Sequence, residues 1–381
     1  MGASNIEWTQ ETWNPVSGCT RVSAGCDHCY AVGMTHRAAA MGQTEKYGGL
    51  TVLNPKGDRH FNGTVRCHPE ALDIPLRGRK PRIWFVNSMS DLFHKDVPLD
   101  FIASVFAVMG LASWHTFQVL TKRPERMSEL LMDARFQDAV EDASSEFSCL
   151  ADDTAQATGL VNVHKRLTTD WRAQDHSTLP LENVWLGTSV ENQAAANERI
   201  PHLLRCPAAV RFLSCEPLLG LVDLTDVCRK MEVGEHHFDA LVADVPPEDD
   251  GEFEGRCVDW VIAGGESGPG ARPCNVEWIR SIVQQCKAAS VPVFVKQLGA
   301  RPHSIPDRMT FRGGGPDIQR GPDGFYRTLV SRKGKDPAEW PADLRVREMP
   351  QLPDVHKPAS GQQMNGRGEG EQPVDKRGGA R

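Results

Sequence analysis

The chain is predicted to be α/β: a partial or complete (β/α) barrel with surface insertions and an irregular C-terminal cap. Three observations predict it. Six short apolar runs recur along the 381 residues, helix-compatible segments separate most of them, and polar residues stand at the far end of each run. Continuous apolar runs, rather than alternating ones, suit strands buried on both faces of a parallel sheet. Strand alternating with helix implies βα units.

The first run, RIWFVN (82–87), ends on Asn87, with Ser88 and Asp91 just beyond. PLDFIASVFAVMGLAS (98–113) follows as a helix that starts at Pro98, where a missing N–H is tolerated. TFQVLT (116–121) ends on Thr121 and leads into Lys122 and Arg123, after which PERMSELLMDA (124–134) again places a proline in the first helical turn. NVWLGTSV (183–190) delivers Ser189, Glu191 and Asn192 ahead of the helix NQAAANERIPHLLR (192–205). VRFLSC (210–215) brings Ser214 and Glu216, and VDWVIAGG (258–265) brings Gly264, Gly265, Glu266 and Ser267. The helix NVEWIRSIVQQCKAA (275–289) comes next, and VPVFVKQ (291–297) carries Lys296 and Gln297. In a barrel the C-terminal strand ends converge on one mouth. Six polar strand ends in turn therefore predict a single site lined from all sides.

Two segments interrupt the pattern. Residues 135–180 are longer and more polar than a βα connection requires, with RFQDAVEDASSEF the one helix-compatible stretch, and residues 228–257 include the acidic loop VPPEDDGEFEG. Both read as surface insertions into a barrel over 1–300. Gly- and Pro-rich sequence over 301–350 reads as the cap, and 351–381 lacks apolar periodicity and reads as a disordered tail.

Composition narrows the classes. With 40% hydrophobic and 24% charged residues the balance is that of an ordinary globular protein. A net charge of −7 argues against a surface coated for nucleic acid, although a local basic groove would not show in that sum. MGASNIEWTQ has no signal-peptide character, and FIASVFAVMGLASW (101–114) is too short to span a bilayer, so no membrane partner and a cytoplasmic location are expected. Eight of the eleven cysteines are scattered singly, and an odd total argues against a disulfide framework.

The other three are clustered in SGCTRVSAGCDHCY (17–30), with six residues between Cys19 and Cys26 and two between Cys26 and Cys29. Gly18 and Gly25 allow a tight loop with N–H groups turned toward sulfur. Three thiolates suit an iron–sulfur cluster with one open iron. A structural zinc would need a fourth ligand, such as His28, and a dithiol redox pair would use Cys26 and Cys29 and leave Cys19 over.

A three-cysteine loop after an N-terminal strand, at the entrance to a partial barrel, resembles the radical S-adenosylmethionine (SAM) superfamily. More narrowly, WTQETWNPVSGCTRVSAGCDHCYA, VNSMSDLFH, VLTKRPERM, WLGTSVENQ, FLSCEPLLG, WVIAGGESGPGARP and DPAEWPADLRVREMP resemble a phage-associated family of uncharacterised three-cysteine proteins expected to be radical-SAM-like. The sequence departs from the superfamily's commonest pattern in its six-residue first gap and in carrying His28, not an aromatic residue, before the last cysteine.

The resemblance implies a barrel of the radical SAM type, a 4Fe-4S cluster on Cys19, Cys26 and Cys29, and SAM at the mouth. Asn87, Ser88 and Asp91 would then meet the methionine amino group, and Ser189, Glu191 and Asn192 the ribose or carboxylate. Gly264 and Gly265 would let backbone approach while Glu266 accepts hydrogen bonds, and Lys122 and Glu216 share the strand-end position. A reductant protein and a macromolecular substrate are implied too, either nucleic acid, for which Lys122, Arg123 and Arg126 speak, or protein, with a partner protein able to supply it. Simpler readings exist: Glu191 and Asn192 begin a helix, GGESGPG is a tight turn, and Lys122–Arg123 is a solvated pair. Two other functions compete. One is a non-catalytic, metal-stabilised binding protein. The other is a metal-independent barrel enzyme using Glu216, Glu266 and Lys296 as acid–base groups.

Overall fold

The computed structural model describes residues 4, 6–78, 80–158, 179–230, 234–243, 255–268, 270–304, 318–321, 324–327, 329–331 and 333–351. The chain divides into a compact unit, Met1–Met349, and a C-terminal segment, Pro350–Arg381. The predicted disordered tail lies, apart from Gln351, outside the described residues.

The compact unit is built on seven strands: β1 (Glu11–Trp13), β2 (Ile83–Val86), β3 (Thr116–Thr121), β4 (Val184–Ser189), β5 (Val210–Cys215), β6 (Trp260–Gly264) and β7 (Val293–Gln297). They form one sheet in sequential order, and every pairing is parallel. Each of the six apolar runs contains a strand, and β1, the short N-terminal strand ahead of the cysteine loop, is the seventh. Both β1 and β7 have a single sheet neighbour, so the arrangement is that of a partial (β/α) barrel, not a closed one.

Among the described residues the longer helices accompanying the sheet are α1 (Tyr30–Ala40) after β1, α2 (Leu99–Leu111) after β2, and α3 (Pro124–Met132) with α4 (Ala134–Thr158) after β3. Then come α5 (Gln193–Arg205) after β4 and α6 (Val276–Ala288) between β6 and β7. Asn192 caps α5 by accepting the Ala195 N–H at 3.0 Å, and Asn275 caps α6 by accepting the Glu277 N–H at 3.0 Å. Between β5 and β6 the connection carries a hairpin, Val227–Lys230 paired with Glu235–Phe238. The expected insertion at 135–180 begins as α4, which packs on α2 through Phe106 and Phe136, with ring centroids 5.5 Å apart. The acidic loop at 244–254 lies outside the described residues.

Successive side chains of a strand point to opposite faces, and the two faces differ here. Trp84, Val86, Phe117, Val119, Leu186, Leu213, Val261 and Val295 join the helices in the main core. Phe85, Trp185, Phe212, Trp260, Ile262 and Phe294 face away from the helices and pack around Trp8. Trp8 sits edge-on to Phe85 at 4.9 Å and to Trp260 at 6.1 Å. This aromatic plug fills the inner face.

The cap is less irregular than expected. Cys274–Asn275, Pro302–Ser304, Gly324–Arg327 and Ile318–Gly321 form a four-stranded sheet in that order. Residues before Pro350 also cover the open edge of β7, where the Val295 N–H donates to the Val346 carbonyl at 2.9 Å and Glu348 N–H to that of Val293 at 3.0 Å. An uncovered edge strand would otherwise invite pairing with another chain. Among the described residues no helix is long and apolar enough to cross a membrane.

Candidate metal centre

The cysteine loop is anchored at its start. Val16–Ser17 pairs with Arg66–Cys67, and the Ser17 hydroxyl lies 2.8 Å from His68 Nε2. Gly18 then turns with φ +85°, and a Cβ there would stand 2.0 Å from the Thr64 carbonyl oxygen. Only glycine fits such a turn. Cys19 follows, Ala24–Cys26 forms a 3-10 turn, and Cys29 occupies the position that begins α1. All three cysteines are free and partly exposed.

The loop lies across the C-terminal ends of the strands, held by three charged clamps. Behind β3, Arg123 donates through Nη2 to Thr20 O at 3.0 Å and Thr20 Oγ1 at 2.8 Å, and its Nη1 lies 3.8 Å from Cys19 Sγ. Asp91, behind β2, accepts from Arg123 Nη1 at 2.7 Å, Thr121 Oγ1 at 2.7 Å and the Lys122 N–H at 3.1 Å. His94 Nε2 meets Thr20 Oγ1 at 2.9 Å from the same side.

Behind β6, Glu266 accepts from Arg272 through its backbone N at 2.7 Å, Nε at 3.0 Å and Nη2 at 2.7 Å. Arg272 Nη1 reaches back to the Ala24 carbonyl at 2.9 Å, and His28 Nδ1 donates to Glu266 Oε2 at 2.9 Å. Behind β4, the buried pair Glu191–Arg199, 2.8 Å apart, packs under Gly25, where a Cβ would stand 3.1 Å from the carboxylate carbon. Burial alone would raise the pKa of Glu266 and Glu191. Arg272 and His28 outweigh it for Glu266, and Ser23, Arg199 and Lys122 for Glu191, so both carboxyls stay below their ordinary value.

The sulfurs sit in a different field. Burial, then Asp91, pushes the Cys19 thiol up to about 12 against the pull of Arg123, with Cys29 adding to the rise. Cys29 is raised by burial and by Cys26, and lowered by the Ala31 and Val32 amides of α1 and by Lys122. Cys19 thus senses Cys29, and Cys29 senses Cys26. Among the described residues the three sulfurs are not mutually within 4.8 Å. Thiolates on one tetrahedral zinc, at Zn–S about 2.3 Å, would stand roughly 3.8 Å apart.

The other expected site residues fall at the same mouth. Ser88 Oγ donates to Asn14 Oδ1 at 3.1 Å, and its carbonyl accepts the Tyr30 hydroxyl at 2.8 Å. Asn87, with φ 60°, accepts the Val16 N–H at 3.2 Å through Oδ1, while its buried Nδ2 has no partner among the described residues. Glu216 accepts from Lys296 Nζ at 3.0 Å through Oε2, and its buried Oε1 has no partner among the described residues. Gly264 is required there, since a Cβ would stand 2.7 Å from Glu216 Oε1. A Cβ on Gly265 would meet the Leu298 carbonyl at 2.4 Å. The Ser189 carbonyl accepts from Arg199 Nη1 at 2.8 Å, and Asn192 is occupied as the α5 cap. Among the described residues Lys122 Nζ makes no hydrogen bond or ion pair, although it is near enough to bias Cys29 and Glu191. It borders a cavity of about 440 Å³ with Thr20, Arg21, Arg123 and Arg126.

Asp91, Glu191 and Glu266 therefore act on the loop itself. Arg272 and Arg199, which complete two of the clamps, carry no sequence signal: Arg272 touches Ala24 across 248 positions.

A family model described as a protein of unknown function, DUF5131, matches residues 3–373. No curated protein and no solved structure matches the chain.

Proposed function

The chain belongs to the DUF5131 family, and we propose that it is a radical SAM-type enzyme. Cys19, Cys26 and Cys29 would hold a 4Fe-4S cluster at the mouth of the partial barrel, and the substrate is a macromolecule, with nucleic acid the first to test. Held by these three thiolates and given one electron by a reductant protein, such a cluster would supply the chemistry of reductive SAM cleavage, to methionine and a 5′-deoxyadenosyl radical. The observation that carries the reading is the placement of three free thiols over the strand ends, on a loop clamped from behind β2, β3, β4 and β6.

The donor set fits the group. Three thiols are present, and His28 is turned to Glu266 through Nδ1, so the loop does not use that nitrogen as a fourth ligand. The unpartnered donor Asn87 Nδ2 and acceptor Glu216 Oε1 stand at the ends of β2 and β5, where a ligand with both an acceptor and a donor would satisfy them. Lys122 offers an unneutralised ammonium for a carboxylate. The clamps fix the loop without consuming these groups, and the aromatic plug around Trp8 closes the inner face against water from below.

The test is anaerobic incubation of reconstituted protein with SAM and a one-electron reductant. The reading expects 5′-deoxyadenosine from the wild type and none from Cys26→Ala. The second reading, a metal-stabilised and phage-associated binding protein, expects bound metal and no SAM cleavage from either. Activity on a substrate surviving in Cys26→Ala would instead favour the metal-independent enzyme, for which the Lys296–Glu216 pair is the available acid–base couple.

A further inference from the structure

The hairpin between β5 and β6 carries a second set of metal donors, unrelated to the cysteine loop. Cys228 and His237 are directly opposed across its two antiparallel strands, and Glu235 lies two residues from His237. Residues two apart on a strand share a face, so Cys228, Glu235 and His237 stand together on one side. The opposite face carries Val227 and Phe238, both buried in the main core. One ligand atom from each of Cys228, Glu235 and His237 lies within 4.8 Å of the other two.

Two further observations separate this trio from a chance cluster of surface polar groups. First, Asp226 Oδ1 lies 2.6 Å from His237 Nδ1. A carboxylate on one imidazole nitrogen fixes the ring's orientation and raises the basicity of the other, which is how metal-bound histidines are usually supported. Second, the backbone that bears the donors is pinned to α5. The Cys228 N–H donates to Asn197 Oδ1 at 3.2 Å, and Gln193 Nε2 donates to the Asp226 carbonyl at 3.2 Å. The donors are thus held on a rigid support before any ion arrives, which lowers the ordering cost of binding.

We propose that Cys228, Glu235 and His237 bind a single zinc-like divalent ion on the solvent face of this hairpin, with Asp226 orienting His237. One sulfur, one nitrogen and one oxygen are a borderline-soft set that suits zinc over calcium or magnesium. The fourth position is left to water, so the site is an open one. Lys230 shares the face, opposite Glu235. Its charge is outweighed by the Glu235 and Asp226 carboxylates together with a deprotonated Cys228. A thiol must lose its proton to bind the ion, so binding releases a proton and tightens as the pH rises.

The experiment measures zinc bound per chain by equilibrium dialysis of the full-length protein after chelation. It is run in a Cys19→Ser/Cys26→Ser/Cys29→Ser background that silences the first cluster, with circular dichroism to verify the fold. The expected result is about one zinc per chain, with cobalt producing a thiolate charge-transfer band that Cys228→Ser abolishes. His237→Ala would weaken binding at least tenfold, and Asp226→Asn about ten- to a hundredfold. Zinc content and cobalt band unchanged by both Cys228→Ser and His237→Ala would overturn the proposal, as would no zinc bound at a hundred micromolar. Should the triple variant fail to fold, the same hairpin substitutions are made with the loop intact. A difference of one zinc between wild type and Cys228→Ser then supports the site, and equal content refutes it.

Discussion

At the residue scale the clustering of Cys19, Cys26 and Cys29 was legible because it is a matter of short-range spacing, which a linear sequence preserves. The roles of the carboxylates were not. A polar residue after a strand looks the same whether it faces a ligand or a neighbouring loop, and only the fold brings Arg272 to Ala24 or Arg123 to Thr20. Asn192 is the exception, since its simpler reading as a helix start is what the structure shows. Glu191 and Arg199 form an ion pair almost wholly out of solvent. Glu191→Ala leaves a buried guanidinium unpaired and should cost about 3–5 kcal/mol in chemical denaturation. Lys122→Met has a different signature. It should leave iron content and stability near wild type and weaken SAM binding by about ten- to a hundredfold, the worth of one charge-assisted hydrogen bond, as read by calorimetry on the loaded protein.

At the scale of elements, the six long strands announced themselves through continuous apolar runs, and β1 did not, being three residues long. The longest misjudged element is α4, whose 25 residues fall where a polar insertion with one short helix was expected. Among its described residues Phe136 and Val140 are buried, and Ala139, Ala143 and Phe147 pack against the core, spaced among acidic residues that mask the pattern. The small sheet of the cap was not expected, because strands of two, three and four residues are too short to carry a periodicity. The cysteine loop is the element on which the proposed function rests, and its clamps should make it sensitive to acid. Glu191 and Glu266 have folded pKa values below their ordinary ones, so their contribution is intact above the unfolded carboxyl pKa, about 4.3. It is lost as the pH falls through the lowered values. The stability difference between wild type and Glu266→Gln, about 1–3 kcal/mol at neutral pH, should therefore shrink toward zero below pH about 4 in denaturant titrations. Gly18→Ala tests the same loop from its hinge. With φ +85° and the Thr64 carbonyl in the way, it should lower both stability and iron retention, and a variant with wild-type values for both would show that the hinge does not set the loop.

For the whole molecule, a partial barrel packs aromatic side chains on one face of its sheet and the helices on the other, and the cysteine loop lies over the strand ends. This much followed from the alternation of strands and helices with polar strand ends, because parallel sheets impose that order on a sequence. The open edge and its cover by residues before Pro350 did not follow, since closure depends on pairings between distant segments. The central claim is that the mouth holds an iron–sulfur cluster on three cysteines. The most direct measurement is the iron, sulfide and zinc content of the full-length protein after anaerobic reconstitution, in a Cys228→Ser background so that the hairpin does not contribute zinc. The account expects about four irons and four sulfides per chain, both lost in Cys26→Ala. Stoichiometric zinc without sulfide, or iron content indifferent to Cys26→Ala, would contradict it.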